Sequence, residues 1–69
     1  MDLGNKLLEL RKKKGISQEE AADILGVSRQ TVSKWETGLS TPEFDKIKSI
    51  ADLYEISINE LVTGRNCNY

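Results

Sequence analysis

The sequence predicts an all-α fold, a compact bundle of five short helices, and three observations carry that expectation. An apolar residue, a serine and, three positions on, a polar or acidic residue recur at Ile16-Ser17-Gln18-Glu19-Glu20, Val27-Ser28-Arg29-Gln30-Thr31 and Ile56-Ser57-Ile58-Asn59-Glu60. Such a serine accepts a bond from an otherwise orphaned N–H of a first helical turn. Nowhere do four or more residues alternate apolar and polar with β-branched enrichment, so no strand competes. Only Leu25-Gly26-Val27-Ser28 separates the second segment from the third. A turn that short, with a glycine in it, makes two helices meet at a steep angle, which is the helix-turn-helix arrangement, although an ordinary αα-corner meets the same description.

The first helix is expected from about Asp2 to Lys14, with Asp2 at the positive end of the helix dipole, Lys12 to Lys14 at the negative end, and Gly15 as its stop. The second opens at Ser17, where Glu20 can return the bond and complete a capping box. Its Ala21 and Ala22 are small enough to admit a neighbouring helix. The third opens at Ser28. The fourth is expected at Thr41-Pro42, threonine as N-cap and proline at the first helical position, where its missing N–H costs nothing. Phe44, Ile47, Ile50, Ala51 and Tyr54 then follow at helical spacing. The fifth opens at Ser57 with Glu60 as its return partner. Hydrophobic staples join Ile16 to Ala21, Val27 to Val32 and Ile56 to Leu61.

Composition narrows the function classes. The chain has 69 residues and a net charge of −1, enough for one domain that buries only about 60% of its unfolded surface. Histidine is absent, which removes the commonest general base and metal ligand. No glycine-rich phosphate loop, Cys-x-x-Cys pair or nucleophile elbow is present. The eleven carboxylates are spread over helix surfaces. Neither enzyme activity nor a cofactor, metal site or small-molecule ligand is expected. The single cysteine, Cys67, can form no internal disulfide. No apolar run can span a bilayer, and MDLGNK lacks the features of a signal peptide, so the expectation is a cytoplasmic protein without membrane contact.

The third helix, within VSRQTVSKWETG, divides by face. At about 100° per residue, Arg29, Gln30, Ser33, Lys34 and Thr37 fall within one arc of about 140° that holds no acid. Thr31, Val32 and Trp35 lie opposite, with Glu36 at the margin, so Trp35 reads as core rather than as a stacking platform. The outward groups suit base edges: arginine binds guanine O6 and N7 bidentately, glutamine binds adenine N6 and N7, and hydroxyls adapt to either. Ser28 and the first turn can sit on a phosphate. A short exposed helix can also gather polar residues by chance, but with the tight turn the pattern favours double-stranded DNA as partner. Residues 1–38 carry seven basic and six acidic side chains, residues 39–69 three and five. So weak a charge predicts few phosphate contacts, not absence of binding.

On the first helix Leu3, Leu7, Leu8 and Leu10 define an inward arc, and Arg11 falls inside it. A charge on an apolar face demands a partner. Glu36 is the best candidate, and an Arg11–Glu36 pair would hold the third helix at its docking angle.

The run LRKKKGISQEEAADILGVSRQTVSKWETGLSTPEFDKIKSIADLYEISINELVTG, Leu10 to Gly64, resembles the helix-turn-helix family of phage Cro and repressor proteins. The resemblance rests on Gly15-x-Ser-Gln, Ala22, Gly26-Val-Ser, Trp35-Glu-x-Gly, Pro42 and the closing Ile56-Ser-x-x-Glu-Leu. It implies a lambda-repressor-like fold and a transcriptional regulator, most often a repressor, of bacterial or phage type. It implies base reading by Arg29, Gln30 and Ser33, with Lys34 a further reader or a phosphate contact, and phosphate binding by Gln18, Ser28 and Thr37. Arg11 and Glu36 match a recurring ion pair of the family. A homodimer on a palindromic operator follows, its contacts expected from the fifth helix and the loop after the third. Two departures stand out. Glu43 and Asp45 would repel phosphate near Pro42, so the footprint is expected to end at Thr41, and Ala21 stands where the family often has leucine. The expected organisation is a DNA-binding domain over residues 1–64 and a tail over 65–69. Two alternatives are a protein-interaction module using Leu39, Phe44, Ile58 and Val62, and the N-terminal part of a longer regulator.

Overall fold

The computed structural model describes residues 3–63, with side chains through Leu61. Asp2, the side chain of Val62 and the expected tail at 65–69 lie outside the described residues. Five helices follow one another: α1 (Leu3–Lys14), α2 (Gln18–Leu25), α3 (Arg29–Thr37), α4 (Phe44–Tyr54) and α5 (Ile58–Thr63). No strand occurs among the described residues.

The caps operate as the serines predict. Ser17 Oγ accepts the Glu20 N–H at 3.0 Å while Glu20 Oε1 accepts the Ser17 N–H at 2.9 Å, a complete capping box. Ser28 Oγ accepts from the Thr31 N–H at 3.1 Å, and Ser57 Oγ from the Glu60 N–H at 3.0 Å. The turn between α2 and α3 depends on Gly26, whose φ of 73° is left-handed. That conformation lets the Val27 N–H turn back to the Ala22 carbonyl at 3.0 Å and closes α2. α4 ends in the same conformation with a glutamate, Glu55 at φ 59°, a position where a side chain is strained against its own backbone.

α3 is packed mainly on α1 and α2. Val32 and Trp35 enter a core with Leu7, Ala22, Leu25, Ile47, Ile50, Ala51 and Leu61. Ile50 and Leu61 are fully enclosed, and burying each contributes about 1.5–3 kcal/mol. α5 closes the base through Leu61 and through Lys6 Nζ, which reaches Glu60 Oε2 at 3.5 Å. Lys46 Nζ donates to the Leu25 carbonyl at 3.0 Å, placing a cation on the negative end of α2 and tying α4 to it.

The start of α4 departs from expectation. Thr41 is not its N-cap and Pro42 is not its first helical residue. The cap is Glu43, with φ −71° and ψ 164° and no side-chain bond of its own, and the Ile47 N–H bonds the Glu43 carbonyl at 2.9 Å. Proline holds the residue before it extended, and here Pro42 is itself buried. It serves as an apolar residue of the approach, so the helix begins two residues later than its sequence signature suggests.

Gly4 is a requirement of packing that the capping signals do not show. A methyl group at this position would sit 2.7 Å from the Glu36 carbonyl oxygen and 2.8 Å from that of Trp35. Its absence lets α1 lie directly on the C-terminal turn of α3. Alanine is ordinarily the better helix former by about 1 kcal/mol, yet Gly4→Ala is expected to destabilise the domain by about 1–3 kcal/mol, because backbone carbonyls cannot move aside as a side chain can. Urea unfolding followed by circular dichroism measures it, and a variant as stable as the parent would show that α1 is free to shift.

Candidate nucleic-acid interface

On the outer surface of α3, Arg29, Gln30, Lys34 and Thr37 are exposed and Ser33 is half-buried, while Val32, Trp35 and Glu36 are buried on the opposite side. The structure therefore brings five of the expected site residues to one face. The side chains of Arg29 and Gln30, in the first turn after the Ser28 cap, make no hydrogen bond or ion pair among the described residues. Thr37 Oγ1 donates to the Lys34 carbonyl at 3.3 Å. Ser28 presents less than the sequence suggests, since its hydroxyl bonds both the Thr31 N–H and Thr31 Oγ1, the latter at 2.9 Å. What this end of α3 offers an anion is backbone N–H rather than the serine hydroxyl.

Behind that face lies a charged cluster. Arg11 Nε donates to Glu36 Oε2 at 2.7 Å, Arg11 Nη2 to Glu36 Oε1 at 3.3 Å, and Arg11 Nη1 to the Ile16 carbonyl at 3.0 Å. Only 13% of the arginine side chain and 4% of the glutamate side chain are exposed, so the pair sits deeper than the margin at which the helical projection places Glu36. Its bond to Glu36 raises the Arg11 pKa, burial opposes the rise, and the charges of Glu36 and Tyr54 add to it. Burial pushes the Tyr54 hydroxyl up to about 12, helped by the Glu36 charge and opposed by that of Arg11.

Gln18, the first residue of α2, belongs to the same cluster. Its Nε2 donates to Glu36 Oε1 at 2.9 Å, so it is not on the α3 face. One further signal for this cluster lies in the sequence: Gly4, Leu7, Leu8 and Arg11 share one side of α1, and a glycine in that row marks a close approach to whatever carries the partner of Arg11. Gln18 had no such signal, because its partner is set by how α2 crosses α3.

The helix-turn-helix family model matches residues 7–61. The chain belongs to that family. It is 39% identical over 64 residues to the HTH-type transcriptional activator BcrR of Enterococcus faecalis, covering 93% of this chain and 31% of that one. The P22 c2 repressor in complex with a synthetic operator superposes with a TM-score of 0.89 at 25% identity, covering 93% of this chain and 97% of that one. The restriction-modification controller protein C.AhdI of Aeromonas hydrophila superposes at 0.78 with 36% identity, covering 86% of each. The fold is thus that of the phage-repressor members of the family. The chain spans between 31% and 61% of the length of three curated regulators that it matches.

Two predictions follow from the buried cluster. Arg11→Met leaves the Glu36 carboxylate buried without its cation and is expected to cost about 3–5 kcal/mol, whereas Arg11→Met with Glu36→Leu recovers most of that loss. Denaturant titrations of both variants check it, and a single variant of unchanged stability would mean that Arg11 serves another purpose. Tyr54 is neutral in the folded state up to about pH 12 but ionises near its ordinary value of 10 once unfolded. The unfolded chain releases its proton first, so this contribution is whole below about pH 10 and is lost as pH rises to about 12. Tyr54→Phe is expected to flatten the fall of Tm over that interval.

Proposed function

We propose that this chain is the sequence-specific DNA-binding part of a transcription regulator, acting in the cytoplasm as a homodimer on a palindromic operator. The carrying observation is the outer surface of α3: an acid-free, exposed set of Arg29, Gln30, Lys34 and Thr37 with Ser33 beside them, on a helix whose other side is locked into the core. In this reading α3 lies in the major groove. Arg29 reads guanine, Gln30 reads adenine, and Ser33 and Lys34 read flanking edges. Gln18, Ser28 through its helix terminus, and Thr37 meet phosphates and set the register. The P22 c2 repressor, with which the chain shares its fold, is seen on operator DNA, which supports the docking mode. The domain acts by occupancy, without catalysis or cofactor, and repression is the simplest outcome of occupying an operator. The relatives include a repressor, RstR of Vibrio cholerae, as well as the activator BcrR.

A protein-interaction module would be expected to place aromatic or aliphatic anchors on the presented helix, and α3 has none. Apart from Ile24 (60%) on α2, the large exposed apolar residues among the described residues are Leu39 (78%), Phe44 (68%) and Ile58 (37%). They fall in the loop after α3, at the head of α4 and at the head of α5, and they favour self-association of a domain with a small core. Two α3 helices would then stand about 34 Å apart, one turn of duplex.

Selection from a random duplex library is expected to enrich a palindrome, and fluorescence anisotropy to show loss of preference on Arg29→Ala with Gln30→Ala, each replaced contact costing about 1–3 kcal/mol of discrimination. Failure to bind duplex DNA at any salt concentration would overturn the reading.

A further inference from the structure

The contact between Gln18 and Glu36 assigns the carboxylate a second task. A glutamine amide can face a neighbour with either its oxygen or its nitrogen, but a carboxylate only accepts, so Glu36 Oε1 at 2.9 Å selects the nitrogen end. One N–H of Gln18 is then spent and the other is held in a defined direction. Glutamine is among the side chains that lose most rotamer freedom on being ordered, about 1.5–2 kcal/mol, and here the protein fold bears that ordering before any ligand arrives. Charge matters equally. A bare carboxylate behind Gln18 would repel an anion, but the bidentate guanidinium of Arg11, at 2.7 Å and 3.3 Å, cancels it locally.

We propose that Glu36 is a positioning residue for phosphate recognition: it orients Gln18 so that the second amide N–H is presented to the DNA backbone, with Arg11 as the counter-charge that makes the site tolerable to an anion. The proposal rests on the DNA-binding reading. It unites α1, α2 and α3 in one contact, so that the groups fixing the angle of α3 also prepare the phosphate contact that sets its register.

The test is a binding cycle on a duplex of arbitrary sequence and on the selected operator, each across a salt series, with Gln18→Met, with the pair replacement Arg11→Met and Glu36→Leu, and with all three changes. Gln18→Met is expected to weaken binding about tenfold on both duplexes, the scale of a hydrogen bond to a charged group. The slope of affinity against salt should not change, since a neutral amide releases no counterion. The pair replacement should weaken binding by a similar factor, and the triple variant no further than either, the non-additivity of groups acting as one. A merely structural role would lower Tm without this non-additivity in the affinity of the folded variants. DNA binding that persists undiminished in Gln18→Met, or losses that multiply in the triple variant, would overturn the proposal while leaving the DNA-binding reading intact. Absence of DNA binding by the parent chain would overturn both. Should the pair replacement not fold, the side-chain amide resonances of Gln18 in the unaltered chain decide: a shift on adding duplex supports the proposal, and unmoved resonances refute it.

Discussion

A carboxylate taken out of water must be met by a cation and by hydrogen-bond donors, since either one alone leaves a large desolvation cost in place. Glu36 is such a carboxylate, and each of its donors comes from a different helix: Arg11 from α1 and Gln18 from α2. The three helices of the recognition unit can therefore be assembled in few ways that satisfy it. Its own backbone carbonyl is the surface on which Gly4 rests, so the closest approach of α1 to α3 and the buried charge pair occupy the same turn. Hydrophobic contact would hold α3 against the core over a range of angles. The directional bonds to Glu36 narrow that range.

A helix of nine residues is marginal in water by itself, and α3 lasts because of what surrounds it. Ser28 caps its start, Gly38 turns back at its end to the Lys34 and Trp35 carbonyls, and Val32, Trp35 and Glu36 fix its inner side. None of this draws on the side chains of Arg29, Gln30 or Lys34. The outer side chains are thereby free of structural duty, and their chemistry can be varied with little change in stability. That separation is what a reader of DNA sequence needs, because the same scaffold can present different base-edge contacts.

Much of this was legible in the sequence because its signals were local. A serine and the residue three places on share one turn, so the starts of α2, α3 and α5 follow from a few residues. The face division of α3, with Trp35 inward, follows from helical rotation alone. Arg11 was detectable because a charge inside a leucine arc is an anomaly on its own helix. What was not legible depends on how helices cross. Thr41-Pro42 carries a valid start signal, but tertiary burial of Pro42 moves the helix start to Phe44. Gly4 looks like a weak point of α1 until the carbonyls of Trp35 and Glu36 are seen above it. The left-handed Glu55 has no warning at all, since its residue type argues against the conformation it adopts.

The low charge bears on how such a domain would reach specificity. Non-specific affinity for duplex DNA comes from lysine and arginine neutralising phosphates. Here the net charge is −1, Arg11 is spent on Glu36, Lys46 on the Leu25 carbonyl, and Lys6 and Lys14 on Glu60 and Glu55. On the proposed function, Arg29, Lys34 and the exposed Lys12 and Lys13 remain as the main cations of the first half. A single domain would then hold random DNA weakly, and the ratio of specific to non-specific binding would rest on base contacts, neutral phosphate donors such as Gln18, and the doubling of both in a dimer. Weak electrostatics thus raises the demand on geometry: a domain that cannot rely on charge must place its few contacts accurately, and on the proposed function the buried carboxylate would be the means of doing so.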